Sequence, residues 1–124
     1  TNFINNVSMN NIGRIGVHIR GGVVTPNPYT VVENFTYVGK GAIDCLDYGV
    51  EFGGGGQGRI GDDTEPTERC SFTNCLGTAS SDGSESAGIL ITDYYGTLTV
   101  AEIFNSDIHD NLNGVMIGIL GKWA

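Results

Sequence analysis

The chain is poor in basic residues, and this shortage limits the partners it can bind. Six of its 124 residues are lysine or arginine, against fourteen aspartates and glutamates, so the formal net charge is −8. A surface of that charge repels a phosphate backbone and offers no basic stripe to hold one. We therefore expect no nucleic-acid partner.

Long apolar runs are also missing. No stretch approaches the roughly 20 apolar residues that a membrane-spanning helix needs, so we expect no membrane span. The few lysines and arginines, together with twenty glycines, argue against long amphipathic helices. The composition instead favours short strands joined by tight turns.

Cysteine is scarce and odd in number, with Cys45, Cys70 and Cys75. Three cysteines do not make a closed set of disulfides, and their spacing differs from the paired cysteines and histidines of zinc sites. Two interpretations remain open: one disulfide with a free thiol, or three small buried side chains. A clip between Cys70 and Cys75 is the pairing to test.

An internal repeat is the strongest feature that the sequence contains. Its first element reads TNFINNV, VENFTYV, CSFTNCL and AEIFNSDI, and each copy carries one phenylalanine: Phe3, Phe35, Phe72 and Phe104. Asparagine tolerates left-handed backbone, so Asn5 and Asn74 in this element suit sharp corners.

A second element follows each copy of the first and reads GVHI, GVEF, GILI and GVMI, at 16–19, 49–52, 88–91 and 114–117. Its apolar residues alternate, which is typical of a strand with one face buried. The leading glycine is predicted to mark the turn into that strand. Units of this kind bury their apolar faces by stacking.

The stretches FNSDIHDNLNGVMI and NFINNVSMNNIGRIGVHI resemble coils of the right-handed parallel β-helix of the pectate-lyase-like repeat family. This resemblance implies an all-β fold, a right-handed parallel β-helix or solenoid of about four coils, as a single domain over residues 1–124. Stacking would align the four phenylalanines in a ladder beside a ladder of valine and isoleucine. An antiparallel sandwich or barrel is the alternative.

A stack of four coils has two open ends, which associate with other chains unless they are capped. Because Thr1 already lies in the first coil, we expect a fragment of a longer solenoid, or a unit that stacks on other coils or identical subunits. The first functional hypothesis is therefore a noncatalytic or accessory module of an extracellular or cell- or virion-surface protein, self-associating through its coil ends.

The second hypothesis is a polysaccharide-active enzyme module. Polyuronate lyases of the resembled family use calcium with an arginine or lysine base, and the resemblance implies a lyase or epimerase acting on an acidic polysaccharide. In the connection at 53–70, Asp62 and Asp63 are candidate calcium ligands. Arg59 and Arg69 beside them are the candidate catalytic bases.

Three further residues are candidates for this enzymatic role. His109 lies between two aspartates in SDIHDN, a composition suited to acid–base catalysis. Tyr94 and Tyr95 are candidate substrate-binding residues because sugar rings stack on aromatic faces. Adjacent residues of a strand point to opposite sides, so at most one tyrosine serves as a platform.

Overall fold

The computed structural model of the chain describes residues 2–20, 35–62, 69–77, 86–92 and 99–118. Within these ranges the chain forms strands and no helix, which confirms the predicted all-β character. The strands are β1 (Asn2–Asn10), β2 (Ile15–Arg20), β3 (Phe35–Ile43), β4 (Tyr48–Gly53), β5 (Gln57–Ile60), β6 (Cys70–Thr73), β7 (Ala87–Thr92), β8 (Val100–Ile103), β9 (Ser106–His109) and β10 (Asn113–Gly118).

These strands form two sheets. The smaller sheet has four strands in the order β10-β7-β4-β2, and the larger has six, in the order β8-β5-β3-β6-β9 with β1 paired to β3. The strand pairs within the described residues run parallel. In those same residues no helix has the length and apolarity needed to cross a membrane.

The prediction of a right-handed parallel β-helix of about four coils is wrong. The described strands lie in two sheets, and the strand order of the larger sheet is mixed rather than that of one clear solenoid. The cause is the length of β3, which pairs with β1 along most of its length but with two short strands on its other side. Its first half meets β5, where Tyr37 faces Ile60, and its second half meets β6, where Ala42 faces Phe72.

The alternating residues of the second repeat element align across the four-stranded sheet, as predicted. We call the two aligned sets the valine column and the isoleucine column; they are Val17, Val50, Ile89, Val115 and Ile19, Phe52, Ile91, Ile117. The central members pack against side chains of β3, β5 and β6, so the main core lies between the sheets.

The predicted phenylalanine ladder is wrong. Phe3 faces Thr36, Phe35 faces Asn2, and Phe3 is 61% exposed. Between the first two copies the motif alignment is thus out of register by one residue, and a slip of one residue turns a side chain to the other face of the sheet. In the third copy, Phe72 faces Ala42 instead of Phe35. The buried aromatic contacts instead run from Phe35 to Tyr37 and Phe52 and from Tyr37 to Phe72, all edge to face.

Asparagine and aspartate supply several sharp backbone bends, in agreement with the prediction for Asn74, whose φ is 59°. The prediction of a bend at Asn5 was wrong, because the left-handed conformation is adopted by the next residue, Asn6, also with a φ of 59°. Asp44 bends in the same way at the end of β3.

A glycine occupies the second position of each strand in the four-stranded sheet. We call this set the glycine column; it consists of Gly16, Gly49, Gly88 and Gly114. A Cβ on Gly16 would lie 2.5 Å from the carbonyl oxygen of Gly49, and a Cβ on Gly49 would lie 2.7 Å from that of Gly88. The prediction that these glycines mark turns is wrong: they lie inside strands and permit close backbone approach.

We expect Gly49→Ala to destabilise the fold by about 1–3 kcal/mol, the usual cost of overpacking a filled site. The added methyl group would meet the Gly88 carbonyl oxygen at 2.7 Å and the Phe72 ring at 2.8 Å. Urea unfolding measures the change. Gly13→Ala is the control, since in the described part of the chain no atom beyond its own neighbours in sequence lies within 4 Å of its Cβ position. Equal urea midpoints for the two variants would contradict the close-approach argument.

Candidate functional site

The connection at 53–70 is only partly a loop. Its glycine turn at 54–56 leads into β5, where Gln57 and Ile60 are buried. Sequence reasoning missed this strand because its four residues do not alternate between apolar and polar side chains. The strand carries the first candidate catalytic residue, Arg59, into the larger sheet.

Arg59 is held by two neighbours. Its Nη2 lies 4.0 Å from a carboxylate oxygen of Glu102 on β8, and its guanidinium carbon lies 4.9 Å from the centre of the Phe104 ring. A cation over an aromatic face is attracted by the negative charge of the ring surface. These contacts tie β5 to β8 and account for the placement of Arg59 in the fold.

The candidate calcium ligands are only partly described. The backbone oxygen of Asp62 accepts a 2.6 Å hydrogen bond from the side-chain amide of Asn105. Asp63, Tyr94 and Tyr95 lie outside the described residues. Among the residues that the structure describes, no three histidine, cysteine or acidic side chains are grouped to hold a metal ion. The calcium site stays a prediction.

Arg69 and His109 lie in one exposed group of charges, which we call the β9 charge cluster: Arg69, Asp107, His109 and Asp110. The Arg69 guanidinium donates two hydrogen bonds to Asp107, of 2.7 and 3.2 Å. His109 Nδ1 lies 2.8 Å from a carboxylate oxygen of Asp110. Asp107 and His109 are two residues apart on β9, so they project from the same face.

Electrostatics in the β9 charge cluster favour the ion pair. The hydrogen bond from Arg69 lowers the pKa of the Asp107 carboxyl, and the same bond raises the pKa of Arg69. An arginine with a raised pKa holds its proton more tightly, so less of it is in the neutral form that a catalytic base requires. Arg59 engages a different carboxylate, that of Glu102 on β8.

The three cysteines are buried and free. The predicted Cys70–Cys75 clip is therefore not formed. The Cys70 thiol donates a hydrogen bond to the Tyr37 carbonyl, and burial raises its pKa to about 11. A hydrogen bond with the Cys75 thiol, together with burial, raises the pKa of Cys45. Thiols with raised pKa values hold little nucleophilic thiolate at neutral pH.

The two ends of the sheets carry apolar side chains that the described part of the chain leaves exposed. We call them the β1–β2 end, formed by those two strands, and the β8–β10 end, formed by the last three. Phe3 and Val7 are exposed at the first, and Val115 and Ile117 at the second. Ile117 is 77% exposed, whereas Phe52, in the same column, is 0% exposed.

The β1–β2 end also contains a cleft of about 420 Å³. Its lining includes apolar side chains from both strands, Phe3, Ile4, Val17 and Ile19. His18 closes one side, and its Nε2 lies 3.3 Å from a carboxylate oxygen of Glu51. The lining therefore includes both apolar and polar side chains.

The two ends differ in charge. Residues 2–20 contain Arg14 and Arg20 and no acidic residue, whereas residues 99–118 contain Glu102, Asp107 and Asp110 and neither lysine nor arginine. The net charge of −8, which sums over the whole chain, does not reveal this contrast.

Comparison with known proteins adds no relative. No protein-family model, no curated protein and no solved structure matches the chain. The likeness to pectate-lyase-like repeats stays a prediction, and the functional argument rests on the side chains described above.

We expect Arg69→Gln to return the pKa of Asp107 toward its usual value of 3.8. The folded-state pKa lies below the unfolded one, so the contribution of the pair to stability is present above the usual pKa and is lost as the pH falls through the lowered value. Carboxyl NMR shifts measured against pH give the pKa directly.

Arg59→Gln is the matched control, because the partner of Arg59 is Glu102. It should leave the Asp107 titration unchanged. An unaltered Asp107 pKa in Arg69→Gln would show that the hydrogen bonds do not hold in solution.

Proposed function

We propose that this chain is a noncatalytic module that self-associates through the β1–β2 end and the β8–β10 end. The observation that carries the proposal is the exposure of the isoleucine column at the edge of the four-stranded sheet. Phe52 is 0% exposed inside the sheet, whereas Ile117 is 77% exposed on its outer strand. A second copy at that edge would cover Ile117, as strands on both sides cover Phe52 inside the sheet.

Strand edges support the same function. β2 and β10 are the outer strands of their sheet, and each therefore presents backbone donors and acceptors along one side. Pairing of such edges supplies main-chain hydrogen bonds, while side-chain contacts supply specificity. Burial of an exposed isoleucine or valine adds roughly 1.5–3 kcal/mol per side chain.

The charge contrast between the ends favours contact between unlike ends. Basic residues at one end and acidic residues at the other attract across a head-to-tail contact. The ion pairs of Arg14 with Asp47, Glu102 with Arg59 and Asp107 with Arg69 reduce this attraction. Association driven in part by these charges weakens as salt shortens the screening length.

The candidate site residues give the enzymatic hypothesis less support. Arg59 and Arg69 each engage a carboxylate, and the hydrogen bond to Asp107 opposes deprotonation of Arg69. Action on a polysaccharide, like the extracellular or surface location, stays a prediction from the sequence.

We expect the wild-type chain to form larger species as its concentration rises, and Ile117→Lys to remain monomeric. A lysine at this edge would bring a charge into the apolar contact, while the high exposure of Ile117 keeps the change in folding free energy within about 0.5 kcal/mol. Sedimentation velocity over a range of concentrations measures the association.

Leu76→Lys is the matched control. Leu76 is also an exposed apolar residue, but it lies in the middle of the chain, after β6. It should associate as the wild type does. A wild-type chain that is monomeric at every concentration would refute the proposed function, and equal loss in both variants would remove the assigned role of Ile117.

A further inference from the structure

We infer that the copies associate head to tail, with β10 of one copy pairing in parallel with β2 of the next. In this arrangement Val115 lies beside Val17 of the second copy and Ile117 beside its Ile19. The inference rests on the proposed self-association and specifies its partner, its polarity and its register. A second copy of this chain is the partner that the two edges fit.

The four-stranded sheet supplies the template for this contact. Its strands follow the order β2, β4, β7, β10, all in parallel, and each step preserves the same register. Val17 faces Val50, and Ile89 faces Val115. A further strand with the sequence of β2 continues both columns beyond β10 with no change in register.

The glycine column provides an independent argument. A Cβ on Gly88 would lie 3.1 Å from the carbonyl oxygen of Gly114. In the same way, Cβ atoms on Gly16 and Gly49 would lie close to the carbonyl oxygen of the glycine on the next strand. At Gly114 itself, the nearest described atom to a Cβ is a methyl carbon of Ile108 at 3.9 Å, an ordinary contact. Nothing described within this chain therefore requires glycine at that position.

A second copy would supply the missing requirement. The carbonyl of Gly49 approaches Gly16, so by the same register the carbonyl of Gly16 is directed to the free side of β2. When β2 of a second copy pairs with β10, that carbonyl occupies the space outside Gly114. The glycine column then runs unbroken from one copy to the next.

The charges select this polarity over a symmetric one. Pairing β10 with β2 sets the end that contains the acidic residues of 99–118 against the end that contains Arg14 and Arg20, whereas pairing β10 with another β10 would set two acidic ends together. The cleft of about 420 Å³ at the β1–β2 end offers space for side chains of the arriving strand.

A contact between unlike surfaces leaves one free β2 and one free β10 on every assembly. Such a contact generates open filaments unless its rotation closes a ring. The inference therefore predicts a continuous series of sizes rather than a dimer of fixed mass.

The first test is Gly114→Ala. At concentrations below those at which the wild type associates, we expect this variant to unfold at the wild-type urea concentration, because an alanine fits within one copy. In sedimentation we expect it to associate at least tenfold more weakly. Gly53→Ala is the control, since its Cβ makes only an ordinary 3.4 Å contact with Thr92 inside the sheet. Undiminished association of a folded Gly114→Ala chain would overturn the inference.

The second test measures polarity by cross-linking. His18 faces Glu51 and Met116 faces Leu90, and Leu90 faces Glu51 in turn, so the proposed register sets Met116 beside His18 of the next copy. His18→Cys and Met116→Cys chains, one of them tagged, are mixed with oxidised glutathione. We expect mixed disulfide dimers on non-reducing gels, and few dimers of either variant alone.

The outcomes separate this inference from the proposed function. Association without mixed cross-links, or with cross-links in either variant alone, would overturn the head-to-tail arrangement and leave self-association standing. A monomeric wild-type chain would refute both. The three native cysteines are buried. Any dimers that they form are measured by treating the wild-type chain with the same oxidant.

Discussion

Close backbone contact along the glycine column is the constraint on which the four-stranded sheet depends. The carbonyl of each inner strand occupies the space that a side chain would take on its neighbour, with approaches of 2.5 and 2.7 Å for Gly16 and Gly49. No residue with a Cβ fits there unless the strands move apart, and their separation is set by hydrogen bonding. The aligned valine and isoleucine columns follow, because strands locked at one glycine share one register along their length. The core between the sheets, with Phe52 and Ile89 at its centre, is built on that register.

The same constraint shapes the ends of the molecule. A sheet whose strands share one register presents matching edges. The exposed side chains of β10, Val115 and Ile117, are similar to Val50 and Phe52, which β4 places beside β2. In the described residues, the exposed Val115 and Ile117 are thus outer members of columns that are buried further in. Proteins that stay monomeric usually have edge strands that are short, charged or covered by other parts of the chain. Exposed apolar residues at two matching edges are therefore uncommon in them.

Sequence patterns predicted the structure correctly where they reflected burial of one face of a strand. They predicted it incorrectly where they rested only on the recurrence of the same residue type. The alternation in GVHI and its three relatives predicted the aligned columns, since burial on one face imposes it. The predicted phenylalanine ladder was wrong because alignment by residue identity does not reveal the register of strands. Phe3 faces Thr36 rather than Phe35. The β-helix prediction was wrong at β3. This long strand pairs with the two short strands β5 and β6, and the residue pattern of one strand does not show how many partners it has. Arg69 and Asp107 are far apart in sequence, so their pairing was visible only after β6 and β9 had been placed side by side.

The charge contrast between residues 2–20 and 99–118 has a physical consequence for the single molecule. These separated charges of opposite sign contribute to the electric dipole of the chain a component directed from the β8–β10 end toward the β1–β2 end. A dipole turns in the field of a charged surface, even when the net charge of the whole molecule is repelled by that surface. Near a cationic surface the acidic end would face the support and β2 would point outward, whereas an anionic surface would reverse the molecule. Adsorption would therefore orient the chain, and the sign of the surface would select which of its edges remains accessible.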